Sequence, residues 1–171
     1  MDYSTTRKWS EIHNLAVVAL SGGKKVGTVE DFYFDPQSHT VPALRVKTGL
    51  FSHRGLMAKS INAFGLDAVT IANESELITE KDDEQLQTFP LGQSLLSYRV
   101  MSAGGTIIGN IGNVLLDTST PSVVRVAAYE MQGGLREHLT NRYLTFDATQ
   151  VLSYGHDVMV IPDALALELT Q

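Results

Sequence analysis

The chain has 171 residues, 43% of them apolar, no cysteine and a formal net charge of −6. That length fits one large domain or two small ones, with room for sizeable cores. The absence of cysteine excludes disulfides, thiolate metal sites and cysteine nucleophiles, and the acidic balance disfavours a nucleic-acid partner, which usually needs a basic surface.

Met1–Trp9 carries no apolar signal-peptide core, and no apolar run reaches the length of a membrane span. A cytoplasmic location without a transmembrane segment is therefore expected. Leu15–Leu20 reads as a short strand, and Ser21-Gly22-Gly23 as a turn. Val26–Asp35 resumes with β-formers. Val29 and Phe32 would face opposite sides of a regular strand, whereas Phe32 and Phe34 share a side. One extra residue near Glu30-Asp31, a bulge or bend, repairs the phase. Asp35–Thr40 is a turn. Leu44 and Val46 then alternate with Arg45 and Lys47, as in a half-buried strand. A loop over Gly49–Gly55 precedes short strands at Leu56–Ala58 and Ala68–Ile71. Asn73 is placed to cap a brief helical turn.

Glu80–Thr88 is charged and polar, and Phe89-Pro90-Leu91-Gly92 follows it. Residues 80–92 read as a solvated linker. Beyond it the chain repeats itself. A single displacement sets Val18 on Val100, Gly27 on Gly109, Val29 on Ile111, Asp31 on Asn113 and Asp35 on Asp117. The phase slips again between Ile111 and Val114. Val124, Val126 and Ala128 form the next alternating strand. Gln132–Asn141 is the long loop of this copy, and strands follow at Tyr143–Phe146 and Val158–Ile161. Asp163 is the matching cap. Many short strands with frequent turns indicate a mainly β protein of small barrels or sandwiches. The expected division is 8–79 for copy one, 80–92 for the linker and 93–170 for copy two. Val18, Val29, Phe32, Phe34, Leu44 and Val46 form the expected core of the first copy. Val100, Ile111, Val114, Leu116, Val126 and Met159 form that of the second.

The repeated phrase is an apolar residue and Gly, then apolar residues, an Asp or Asn at the bend, and a closing Asp. It stands as Val26-Gly27…Val29…Asp31-Phe32…Phe34-Asp35 and as Ile108-Gly109…Ile111…Asn113-Val114…Leu116-Asp117. In this it resembles the PRC-barrel family, as two tandem copies. The family includes the cytoplasmic domain of the photosynthetic reaction-centre H subunit and the C-terminal domain of the ribosome maturation factor RimM. The second copy departs from the family phrase in having Asn113 where Asp is usual. The resemblance implies tandem small β-barrels that bind or assemble proteins rather than catalyse. It also implies that neither parent function carries over whole, because the H subunit's anchor and RimM's separate N-terminal domain have no counterpart here.

No catalytic constellation stands out. His13, His39, His53, His138 and His156 have no local metal-pair spacing, and no metal or other cofactor is expected. A metal held between His53 and His138, which lie in matching loops, is the weaker reading beside ordinary surface histidines. Asp31, Asp35 and Asp117 suit backbone hydrogen bonding at bends better than acid–base work. Gly22-Gly23 and Gly104-Gly105 lack the ending of a phosphate loop, and Ser21, Ser102 and Ser153 lack a nucleophile-elbow context. The candidate partner-binding residues are Phe51, His53 and Arg54 in one loop and Leu135 and Arg136 in its match, because exposed apolar groups and arginine anchor interfaces. The expected function is a protein-binding adaptor, its partner another protein or a second copy of itself. The alternatives are a small-ligand or metal-binding regulator using the cleft between the copies, and, less favoured, a RimM-like RNA- or ribosome-associated factor.

Overall fold

A computed structural model describes residues 3–171. In chain order, β1 (Thr6–Lys8) leads into one helical turn, α1 (Trp9–Ile12). Next come β2 (Ala16–Ala19), the long β3 (Lys24–Asp35), β4 (Thr40–Lys47), β5 (His53–Met57), β6 (Ile61–Phe64), β7 (Ala68–Ile71) and β8 (Leu77–Ile78). Short 3-10 turns carry the chain to β9 (Arg99–Ser102), β10 (Ile107–Asp117) and β11 (Val124–Met131). The remainder is α2 (Leu135–Thr140), β12 (Thr145–Asp147), β13 (Ser153–Tyr154), β14 (Val158–Ile161) and α3 (Asp163–Leu169). Among the described residues no helix is long and apolar enough to cross a membrane.

The protein is mainly β. Its curled sheet follows the path β13-β14-β9-β10-β11-β4-β3-β2-β7-β6. Both ends of that path obey one pairing rule. β2 is antiparallel to β3 and parallel to β7; β9 is antiparallel to β10 and parallel to β14. The two halves meet where β4 pairs with β11, with Thr40 opposite Arg125. Val126 N–H donates to His39 O at 2.8 Å beside that pair. One sheet therefore runs through both halves.

The phase change read in the sequence is a real irregularity. Register slips between Val29 and Asp31 on β3, and between Ile111 and Asn113 on β10. The slip turns Val29, Phe32 and Phe34 into one core with Ile111, Val114 and Leu116. Gly27 has a steric reason: a Cβ there would lie 2.5 Å from Lys47 O. Every expected core residue is buried except Val18, which is half-buried. Val17 is the buried member of that strand. It sits opposite Val69, as Val100 sits opposite Met159. Val17 pairs with Gly27 and Val100 with Gly109, and the first half has one more residue between these partners, so Val17 rather than Val18 corresponds to Val100.

Two expectations need correction. Residues 80–92 are not merely a solvated linker. Leu86 is buried with Tyr33 and Ala43, and Ile78, Phe89 and Leu91 pack around it. Pro90 O accepts from Phe34 N–H at 3.0 Å, and Leu91 bridges to Tyr33. β1 does the same in the other half, with Lys8 opposite Leu115 on β10. The segment leading into each half is thus laid on the long strand of the other half. The loop 132–141 contains a helix, α2, because Glu137 caps it by accepting from Gly134 N–H at 3.0 Å.

Candidate functional site

Asp31 Oδ1 accepts from Phe32 N–H and from Gln93 N–H, each at 2.8 Å. Asn113 Oδ1 accepts from Val114 N–H at 3.0 Å and from Ser10 N–H at 3.3 Å. Each side chain pins its own bend and the segment arriving from the other half. Burial raises the Asp31 pKa; its two backbone hydrogen bonds and nearby Arg45 oppose the rise. Asp35 and Asp117 serve turns, accepting from Gln37 N–H and Ser119 N–H at 3.0 Å. These are positions for backbone bonding, as an amide at 113 suggests.

The candidate interface residues of the first half lie at the β4–β5 connection. Phe51 is 90% exposed and Leu50 beside it 77% exposed. The Phe51 ring does not tuck beneath its loop. The loop itself is held by Thr48 N–H donating to Ser52 O at 3.0 Å. His53 opens β5, with Nδ1 2.9 Å from Glu30 Oε2. Arg54 is exposed and donates to the His53 carbonyl at 2.9 Å. Arg45, His53, Arg54, Glu80 and Lys81 border a cavity of about 440 Å³. Arg45 Nε is buried there without a hydrogen bond, 3.9 Å from Glu30 Oε1.

In the second half, Leu135 and Arg136 open α2. Leu135 and Leu139 are both 77% exposed, one helical turn apart on one face. His138 Nδ1 is 2.8 Å from Tyr143 OH. Lys8 reaches from β1 to the buried Glu130, 3.2 Å away, with its ammonium 5.0 Å from the Tyr143 ring centre. Lys8, Glu130, His138 and Tyr143 border a second cavity of about 430 Å³. His53 and His138 therefore line separate cavities, and no group of three or more metal-ligating side chains occurs among the described residues.

Sequence reasoning missed Lys8, Glu30, Arg45, Glu130 and Tyr143. Their meeting depends on strand pairing between distant segments, and no local spacing announces it. It also missed the hydroxyl chain at the seam, where Tyr129 OH and Tyr154 OH lie 2.7 Å apart and His39 Nδ1 lies 3.4 Å from Tyr154 OH. Burial pushes the Tyr129 hydroxyl far above its ordinary range and Tyr154 up to about 12. Both stay neutral near neutral pH and act as hydrogen-bonding groups. Ser102 Oγ accepts from Thr106 N–H at 3.1 Å within its hairpin.

No curated protein matches the chain. Residues 5–72 match the family model of the PRC-barrel domain, and that span runs from β1 through the end of β7.

Proposed function

We propose that the chain is a non-catalytic protein-binding adaptor built from two PRC-barrel-like copies, over 8–79 and 93–170. The single observation that carries this is the Leu50–Phe51 tip. Two large apolar side chains stand in water on a loop anchored by a strand at each end, and the exposed Arg54 follows on β5. Leaving an aromatic side chain exposed forgoes roughly 1.5–3 kcal/mol of burial that the core offers elsewhere. An apolar tip, with a cationic side chain exposed on the strand that follows, supplies what a modest interface needs: area for affinity and charge for orientation. The matching connection repeats the combination with Leu135, Leu139 and Arg136. The acidic net charge weighs against the RNA-associated alternative.

The test is affinity purification of the tagged chain from its native cell, with mass spectrometry of what accompanies it. A reproducible protein partner, or the chain itself in excess of the tagged form, is the expected result. Recovery of a metal or a metabolite with no protein would overturn the adaptor reading.

A further inference from the structure

The two halves place different side chains at equivalent corners of the seam. Gly65 and Gly155 are equivalent hairpin glycines. Each donates its N–H three residues ahead, to Ala68 O at 2.8 Å and to Val158 O at 2.7 Å. Each follows an aromatic residue, Phe64 or Tyr154. At the first corner the Gly65 carbonyl accepts a hydrogen bond from the Arg7 guanidinium at 2.7 Å. Arg7 precedes Lys8, which pairs with Leu115; Leu91 holds that place against Tyr33 in the other half. The residue equivalent to Arg7 is therefore Pro90, whose ring has no group able to reach Gly155.

A hollow of about 220 Å³ remains at that second corner, bordered by Phe34, Pro90, Ser94, Tyr98, Tyr154 and Gly155. Phe34 and Tyr154 meet there edge to face, with ring centres 5.3 Å apart. The Gly155 carbonyl accepts from Tyr98 OH at 2.8 Å, which uses one of its two lone pairs. The hollow is smaller than the usual cofactor or drug-sized pocket, and it suits the end of a side chain.

We propose that this hollow binds a guanidinium group, the group the chain itself supplies at the equivalent corner. A guanidinium is planar and weakly hydrated, stacks on aromatic rings, and donates to carbonyl and phenol oxygens. An ammonium is a more strongly hydrated point charge and loses more on leaving water. The net charge of −6 favours a cation on approach. This goes beyond the adaptor reading, because the hollow is lined by neither Phe51 nor Arg54.

The test titrates the full isotope-labelled chain with N-acetyl-arginine amide, N-acetyl-lysine amide and free arginine, reading the amide signals of Ser94, Gly155 and His156. Saturating shifts are expected with the arginine amide, and binding at least about fivefold weaker with the lysine amide. Pro90→Arg should abolish the response, because the chain's own guanidinium then fills the hollow. Comparing the arginine forms separates two sources. If the blocked amide binds as well as free arginine, a partner's side chain is the ligand. If free arginine binds about tenfold tighter, a small guanidino compound is the ligand. Either result keeps the site. Shifts that never saturate, that saturate equally with the lysine amide, or that persist in a folded Pro90→Arg chain would overturn it. Should Pro90→Arg fail to fold, the arginine–lysine comparison on the unaltered chain still decides.

Discussion

Asp31 and Asn113 hold equivalent bends and differ by one titratable proton. Both accept a backbone N–H from the next residue and another from the opposite half. Burial raises the Asp31 pKa above its unfolded value. With the folded value the higher one, the group's contribution to stability is fully present below the unfolded pKa, about 3.9, and is lost as pH rises through the folded pKa. Asp31→Asn removes that loss while keeping the acceptor. The variant is expected to match or exceed the parent chain in stability at neutral pH, with its advantage growing as pH rises through the window. Urea unfolding of both chains from pH 4 to pH 7 checks this. A variant clearly less stable at pH 7 would show that the charge itself, rather than the acceptor, holds the bend.

At the scale of elements, the bent strands were legible because the phase slip is written in the residues: Val29 and Phe32 cannot share a face of a regular strand. The alternation of Leu44 and Val46 was legible for the same reason. The β2 register was not, because one extra residue between β2's buried valine and its partner Gly27 moves the buried position from Val18 to Val17 without changing the local apolar pattern. The arm exchange was hidden too. Leu86, Phe89 and Leu91 are diluted among charges, and what they pack against lies on strands some fifty residues earlier, a contact that no local pattern announces. At the candidate site, the residue types at Phe51 and Arg54 were readable, whereas exposure and the neighbours Glu30 and Arg45 follow from strand pairing. The arm also carries a sharp steric constraint. A Cβ on Gly92 would lie 2.0 Å from the Phe32 ring, which is held from another side by Trp9 with ring centres 4.9 Å apart. Gly92→Ala is expected to cost about 1–3 kcal/mol through overpacking. Urea unfolding followed by the emission of Trp9, the chain's one tryptophan, measures it. An unchanged midpoint would mean that the arm shifts freely and does not clamp β3.

Across the whole molecule, the β4–β11 pairing and the two arms tie the halves together three times over. Neither half keeps its complete set of strand partners without the other. A single cooperative unfolding transition is therefore expected, with calorimetric and van't Hoff enthalpies that agree. Two resolved transitions in scanning calorimetry would mean that the halves fold as independent units.

The adaptor reading places function outside this shared core, on loops that can change without disturbing it. Phe51 and Arg54 bury little within the chain, so the double variant Phe51→Ala, Arg54→Ala should fold and melt as the parent does. The most direct measurement is its dissociation constant for the purified partner, or for self-association, beside that of the parent chain. Weakening by about tenfold or more is expected, as when anchor side chains of an interface are truncated. A constant unchanged within error, in a variant that melts as the parent does, would contradict it.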